Sequence, residues 1–155
     1  MRFGIGYDIH RLKKGLKLRL GGLTLPYSRG CEGHSDGDAL IHAVADALLG
    51  AAGLGDIGGH FSDKDKRFKN ADSRLFLRAV RTLLKKRSLK VVNVDAVLLL
   101  EKPNLSAFKK RMSACIAGEL GISASSVNVK AKTHEGLGLI GKGEAVACYA
   151  VASLK

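Results

Sequence analysis

The sequence predicts an α/β chain, an α+β sandwich in which a mixed four-stranded sheet carries helices on one face. Three observations lead to that expectation. Apolar residues recur at every second position in four longer stretches, and at helical spacing in three others. The two kinds of stretch alternate along the chain, and glycines stand at several of the boundaries. With 155 residues the chain can bury a core without staples, and residues 1–155 are expected to form one domain.

Met1 to His10 reads as the first strand, and "LKLRLGGLTLPY" as two short strands meeting at Gly21 and Gly22. A glycine-rich bend at Gly30 to Gly33 follows. The stretch "HSDGDALIHAVADALLGAAGLGD" opens a helix, with Ser35 as N-cap, Asp38 at capping-box spacing, and Gly50 or Gly53 to end it. "GDIGGHFSDKDKRF" has no period and reads as loop. Ala71 to Arg87 fits an amphipathic helix whose stripe is Phe76, Val80, Leu83 and Leu84. "KVVNVDAVLLLEKP" is a strand ended by Pro103. "LSAFKKRMSACIAGELG" is a helix with Phe108, Met112, Cys115 and Ile116 inward and Gly121 as its stop. "SVNVKAKTHE" and "GEAVACYAVASLK" are the last strands, joined by the glycine-rich "GLGLIGKG". Small residues crowd the final strand (Ala145, Ala147, Cys148, Ala150, Ala152), which suits close approach of another layer, such as a second subunit.

Composition narrows the function. The chain is 46% hydrophobic and 26% charged, and no apolar run approaches the roughly 20 residues of a membrane span. "MRFGIGYDIH" lacks the basic segment and apolar block of a secretory signal, so a cytoplasmic location is expected. Cys31, Cys115 and Cys148 show no C-x-x-C spacing and read as buried thiols. A net charge of +12 raises nucleic acid as a partner. Against it, aromatics are only 5% with no Trp, and the basic residues are scattered through "KDKRFK", "LLKKR" and "FKKRM". A highly phosphorylated small molecule is the better match, with no nucleic acid and no membrane involved.

The chemistry starts at "GYDIHRL". On an extended backbone Asp8 and His10 project from one face while Ile9 turns to the other, which is what two metal ligands need. In "GHSDGDALIHAVAD", Asp38, His42 and Asp46 fall on one helical face of a segment otherwise made of Ala and Leu. One carboxylate and two imidazoles suit Zn²⁺, and three protein ligands leave a fourth position open for a substrate oxygen. Asp38 has a competing use as part of the cap. Asp46 could orient an imidazole or face solvent. Asp56, His60, Asp63 and Asp65 sit among glycines in a loop able to wrap a phosphorylated ligand. Thr133 and Glu135 at a strand end, beside glycines and Lys142, suit a phosphate with its Mg²⁺.

Taken in order, "GYDIHRL", "HSDGDALIHAVADALLGAAGLGDIGGHF", "ADSR", "VNVDAVLLLEKP", "VNVKAKTHE" and "GKGEAVACYAVA" span the chain. Together they resemble the 2-C-methyl-D-erythritol 2,4-cyclodiphosphate synthase family of the non-mevalonate isoprenoid pathway. The resemblance implies a homotrimer around a central cavity, with active sites between neighbouring subunits. It implies cyclisation of 4-diphosphocytidyl-2-C-methyl-D-erythritol 2-phosphate to the 2,4-cyclodiphosphate, with loss of CMP. By the same resemblance Asp8, His10 and His42 hold zinc, and Glu135 holds Mg²⁺ or Mn²⁺ on the substrate diphosphate. His34 and Thr133 are similar to the pair that stabilises the transition state.

The substrate-binding residues follow by position. Asp8, Ile9, His10, His34 and Ser35, then Asp56, Ile57 and Gly58, then Phe61, Ser62, Asp63, Lys64 and Asp65 resemble the segments around the methylerythritol phosphate. Leu100, Glu101, Lys102, Pro103, Asn104, Leu105 and Ser106 resemble the cytidine loop. Lys132, Thr133, His134 and Glu135 lie near its diphosphate. Leu139 and Lys142 belong to the wall of the central cavity, which in relatives accepts an isoprenoid diphosphate. Lys132 and His134 stand where Thr or Asn is commoner, "GLIGK" stands where "GFTGR" is frequent, and "HFSDKD" lacks the usual Pro and Thr. Two other readings remain open on the residues alone. One is a zinc phosphohydrolase using the same ligands to activate water, and the other a basic RNA-binding protein with a structural metal.

Overall fold

The two ends of the chain form the middle of the sheet. In the computed structural model, which describes residues 1–62 and 64–155, β1 (Arg2–Lys14) pairs antiparallel with β7 (Ala145–Leu154), and Asp8 lies opposite Cys148. β5 (Val91–Leu99) pairs antiparallel with the far side of β7 and parallel with β6 (Val127–Lys132). These four strands are the mixed sheet expected.

A fifth strand, β4 (Arg29–Cys31), joins β1 at the opposite edge, giving the order β4-β1-β7-β5-β6. The sheet thus has five strands rather than four. β4 occupies the stretch that reads as a bend, because three residues are too few to show a period and only pairing to Leu12, Lys13 and Lys14 makes them a strand. The same pairing carries β1 four residues beyond His10. The two short strands β2 (Leu18–Leu20) and β3 (Leu23–Leu25) form a separate hairpin, turning at Gly21 and Gly22 as expected.

Helices α1 (Ala39–Ala52), α3 (Arg74–Lys86) and α4 (Lys109–Leu120) make the second layer. Between the layers lies one core, which includes Leu40, Ile41, Val44 and Leu48 of α1, Leu77 and Val80 of α3, and Met112 and Ile116 of α4. Facing them from the sheet are Leu98 of β5 and Val146, Cys148, Ala150, Ala152 and Leu154 of β7. Of the small residues of β7, Cys148, Ala150 and Ala152 therefore serve the helix layer of their own chain, while Ala145 and Ala147 pack with Ile140. What β7 presents on the other face is Tyr149 and Val151.

The loops hold two short helices that periodicity does not reveal, α2 (Ile57–His60) and α5 (Gly138–Gly141), each a single turn. The entry to α1 also differs from expectation. Its N-cap is Asp38, not Ser35: the Asp38 carboxylate accepts from the Ile41 amide at 3.0 Å. The same carboxylate accepts from the amides of Gly21 at 2.9 Å and Gly22 at 2.7 Å, so it ties the helix to the hairpin turn while fully buried. Burial pushes this carboxyl up, and its three amide donors hold it back only in part. Asp38→Asn turns an amide donor toward one of those amides and should cost about 1–3 kcal/mol in urea unfolding without reducing metal uptake.

Candidate metal centre

Close packing of α1 on β1 creates the centre. Asp8 and His10 lie on the helix-facing side of β1, the same side as Gly4 and Gly6. A Cβ at Gly6 would stand 2.0 Å from the Ala43 carbonyl oxygen, so only glycine lets the helix sit this near. One helical position before Ala43, His42 then reaches across to the strand.

There Nδ1 of His42 lies 2.9 Å from Asp8 Oδ2, and Nδ1 of His10 lies 3.1 Å from the same oxygen. A tetrahedral ion with bonds of about 2.0–2.1 Å spaces its ligand atoms about 3.3 Å apart. The ligand atoms of Asp8, His10 and His42 all lie within 4.8 Å of one another, close to that scale. His10 Nδ1 is buried and has no hydrogen-bond partner among the described residues, despite its nearness to Asp8. An orphaned buried nitrogen beside a carboxylate oxygen and a second imidazole is the geometry of a metal-ligand set. Burial alone would raise the Asp8 carboxyl, but its contacts with His10 and His42 outweigh that and hold it well below the usual carboxylate range. Burial would lower the His42 imidazole, yet the Asp8 carboxylate beside it leaves it raised overall.

Of the three acidic and imidazole residues sharing a face of α1, only His42 enters the centre. Asp38 is the cap. Asp46 neither orients an imidazole nor stands free, since it accepts from the Ile57 amide at 2.7 Å and anchors α2.

Asp8 and His10 of the centre line a cavity of about 310 Å³ together with Gly33, His34, Ser35, Ile57, Gly58, Phe61, Phe68 and Phe76. The rings of Phe61 and Phe76 are 4.6 Å apart, with Phe68 edge-on to both, and make an apolar wall. Nε2 of His34 donates to the Asp65 carbonyl at 3.2 Å. Asp56 caps α2 by accepting from Gly59 at 2.8 Å, and Ser62 accepts from the Lys64 amide at 3.2 Å. The Asp65 carboxylate is engaged by Arg67 and stays below the usual range because of it. The Ile9 side chain is on the opposite face of β1 and exposed, so only its backbone borders the centre. Asp63 lies outside the described residues.

The other expected residues are elsewhere. A second cavity, about 150 Å³, is lined by Leu100, Glu101, Pro103, Asn104, Leu105, Ser106, Lys132 and Thr133 together with Lys109 and Ala131. Thr133 donates to Glu135 at 2.7 Å, and the His134 amide donates to Glu101 at 3.1 Å. Lys102 and Lys142 line a third cavity with Arg29 and Tyr27, and Leu139 is exposed. Among the described residues, the first two cavities have no lining residue in common.

Sequence reading leaves out Gly33, Phe68 and Phe76 of the first cavity and, behind His42, the hydroxyl of Ser73 with the carboxylate of Asp36. Ser73 lies within the "ADSR" stretch, which marks the region but not the contact.

The chain matches the YgbB family over residues 1–155. It is 56% identical over 152 residues to the 2-C-methyl-D-erythritol 2,4-cyclodiphosphate synthase of Desulfosudis oleivorans, covering 98% of this chain and 90% of that one. Its fold is similar to that of a 2C-methyl-D-erythritol-2,4-cyclodiphosphate synthase in its CDP-bound form, with a TM-score of 0.91, 38% identity, and coverage of 99% and 100%. It is similar as well to the bifunctional IspDF from Campylobacter jejuni, with a TM-score of 0.90 and 38% identity over 99% of this chain. The chain spans 42% of the length of that bifunctional protein.

Proposed function

The chain belongs to the YgbB family, and from that premise we propose how its own residues perform the family's reaction. It is a phosphorus-oxygen lyase that converts 4-diphosphocytidyl-2-C-methyl-D-erythritol 2-phosphate to 2-C-methyl-D-erythritol 2,4-cyclodiphosphate and CMP, in isoprenoid precursor biosynthesis. The observation that supports the assignment of residues best is the orphaned His10 nitrogen converging with Asp8 and His42 beside a cavity.

Asp8, His10 and His42 would hold zinc, whose chemistry there is to polarise a phosphoryl oxygen and steady the charge that develops on it. Two imidazoles and one carboxylate suit that ion. In this reading the substrate's methylerythritol phosphate lies in the first cavity, held by His34, Ser35 and the backbone of Ile57 and Gly58. Phe61, Phe68 and Phe76 keep water from the phosphorus, which would otherwise be hydrolysed in competition. Holding the 2-phosphate against the diphosphate makes the attack intramolecular, and positioning then supplies much of the acceleration. The cytidine fits the second cavity, from Leu100 to Ser106. Glu135, oriented by the Thr133 hydroxyl, would hold Mg²⁺ or Mn²⁺ on the diphosphate.

Two cavities without a common lining residue fit a site shared between two chains. An exposed apolar face on the side of the sheet away from the helices, made of Phe3, Ile5, Tyr7, Ile9, Tyr149 and Val151, would meet its counterparts in a homotrimer. Each site would then combine the metal cavity of one chain with the cytidine cavity of its neighbour. Leu139 and Lys142 would line the central cavity, where an isoprenoid diphosphate is the expected ligand. A cytoplasmic location belongs to this reading, in keeping with three free cysteines. Among the described residues no helix is long and apolar enough to cross a membrane.

Incubation with the diphosphocytidyl substrate and Mg²⁺, followed by phosphorus NMR, tests the reading. Cyclic diphosphate with CMP is expected; the linear 2,4-bisphosphate with CMP would mean a hydrolase. Glu135→Gln should keep its zinc and need more Mg²⁺ for half-maximal turnover. An unchanged Mg²⁺ dependence would remove Glu135 from the second site.

A further inference from the structure

Behind the proposed zinc ligand His42 lies a chain of hydrogen bonds whose direction can be deduced. Nε2 of His42 is 2.8 Å from the Ser73 hydroxyl, and that hydroxyl is 2.5 Å from Asp36 Oδ1. Asp36 is surrounded by donors. Its Oδ2 accepts from the Ser73 amide at 3.1 Å and faces the Arg19 guanidinium at 3.5 Å, and its Oδ1 also accepts from the Asp38 amide at 3.3 Å. A carboxylate in that setting only accepts, so the Ser73 hydroxyl must give its proton to Asp36. Its remaining lone pairs can then only accept, which requires the proton of His42 to reside on Nε2. Nδ1 faces Asp8 Oδ2 at 2.9 Å and donates to it when protonated, so it is the nitrogen whose proton a cation would displace.

We propose that Ser73 and Asp36 are positioning residues for the metal centre, which hold His42 in the single tautomer and ring orientation that presents Nδ1 to a cation. The inference rests on the zinc reading of Asp8, His10 and His42 and goes beyond it, to side chains that touch neither metal nor substrate. Two features favour a dedicated relay over incidental contact. Ser73 is fully buried. It is the N-cap residue of α3, yet among the described residues its side chain makes no capping bond to that helix; the hydroxyl's two short contacts go to His42 and Asp36 instead, with Ser35 farther off at 3.4 Å. The Ser35 hydroxyl also lies 3.1 Å from Nε2, a longer contact from a residue that borders the substrate cavity.

The test compares wild type, Ser73→Ala and Asp36→Asn, each zinc-stripped and then titrated with zinc alone against a chromophoric chelator. Nitrogen-15 NMR of His42 is recorded at the end of each titration, with zinc bound. Wild type should show one tautomer, protonated at Nε2. Ser73→Ala should bind zinc roughly 10–100-fold more weakly and lose the single-tautomer pattern. Asp36→Asn can donate to Ser73 and so release the direction of the chain; it should give mixed tautomers and weaker zinc binding even if Ser73→Ala fails to fold. Unchanged zinc affinity in the folded variants overturns the proposal, and so does a loss of affinity with the His42 pattern intact. If wild type takes up no zinc, the underlying metal reading fails instead.

Discussion

Replacing His42 with Ala is expected to strip the protein of zinc and turnover together while leaving it folded. His42 supplies one of three ligand atoms, so the loss of affinity should exceed the roughly 100-fold upper end for removal of an outer partner. With two ligands left, Asp8 and His10, the set falls short of the three that a catalytic zinc keeps. The fold should survive because α1 is held by Leu40, Ile41, Val44, Leu48 and Leu49, all without exposed surface, whereas the His42 side chain turns to Asp8 and is 12% exposed. Elemental analysis, circular dichroism and phosphorus NMR of the products check the three parts of this expectation. Full activity in a zinc-free His42→Ala protein would remove His42 from the ligand set. Loss of helix signal would show that the imidazole holds the fold as well as the ion.

The sequence reveals this centre because two simple periodicities point at it. Alternation along a strand puts Asp8 and His10 on one side, and helical spacing puts His42 on a face that is polar where its neighbours are apolar. The same spacing gave Asp38 and Asp46 equal claim, and there periodicity is blind. Whether a residue on a helix face points into a site or ends the helix depends on where the helix begins, and Asp38 is that beginning. Asp46 is taken by Ile57, a partner eleven residues on that no local pattern announces. Ser73 and Asp36 were hidden for the same reason: their meaning is a chain of contacts, His42 to Ser73 across 31 residues and Ser73 to Asp36 across 37. The strand β4 and the inward packing of Cys148, Ala150 and Ala152 on β7 likewise exist only through their partners. Local rules thus located the elements and the ligands on them, while long-range contacts decided which polar groups close the site.

A second substitution, Gly6→Ala, should unfold the protein more readily and disarm the metal centre by moving backbone. Its new methyl would lie 2.0 Å from the Ala43 oxygen and 2.8 Å from the Ala47 nitrogen, both main-chain atoms of α1 that cannot rotate away. Since real Cβ contacts essentially never fall under 3.0 Å, helix and strand would have to part by about 1 Å. Overpacking usually costs about 1–3 kcal/mol, and a clash of backbone on both sides should reach or exceed that upper figure. The same displacement acts on the ligands, because His42 precedes Ala43 on the helix and Asp8 lies two residues beyond Gly6 on the strand. Zinc sites tolerate deviations of only about 0.2 Å, so separating Nδ1 of His42 from Asp8 by several times that amount should weaken zinc binding. Gly118→Ala supplies the contrast: on α4 an added Cβ meets nothing within 4 Å, and the exchange should stabilise by up to about 1 kcal/mol. Urea unfolding in the presence of chelator, paired with zinc titration, measures both consequences. Were Gly6→Ala to match wild type in stability and zinc affinity, the close approach of α1 to β1 could not be what sets the centre's geometry.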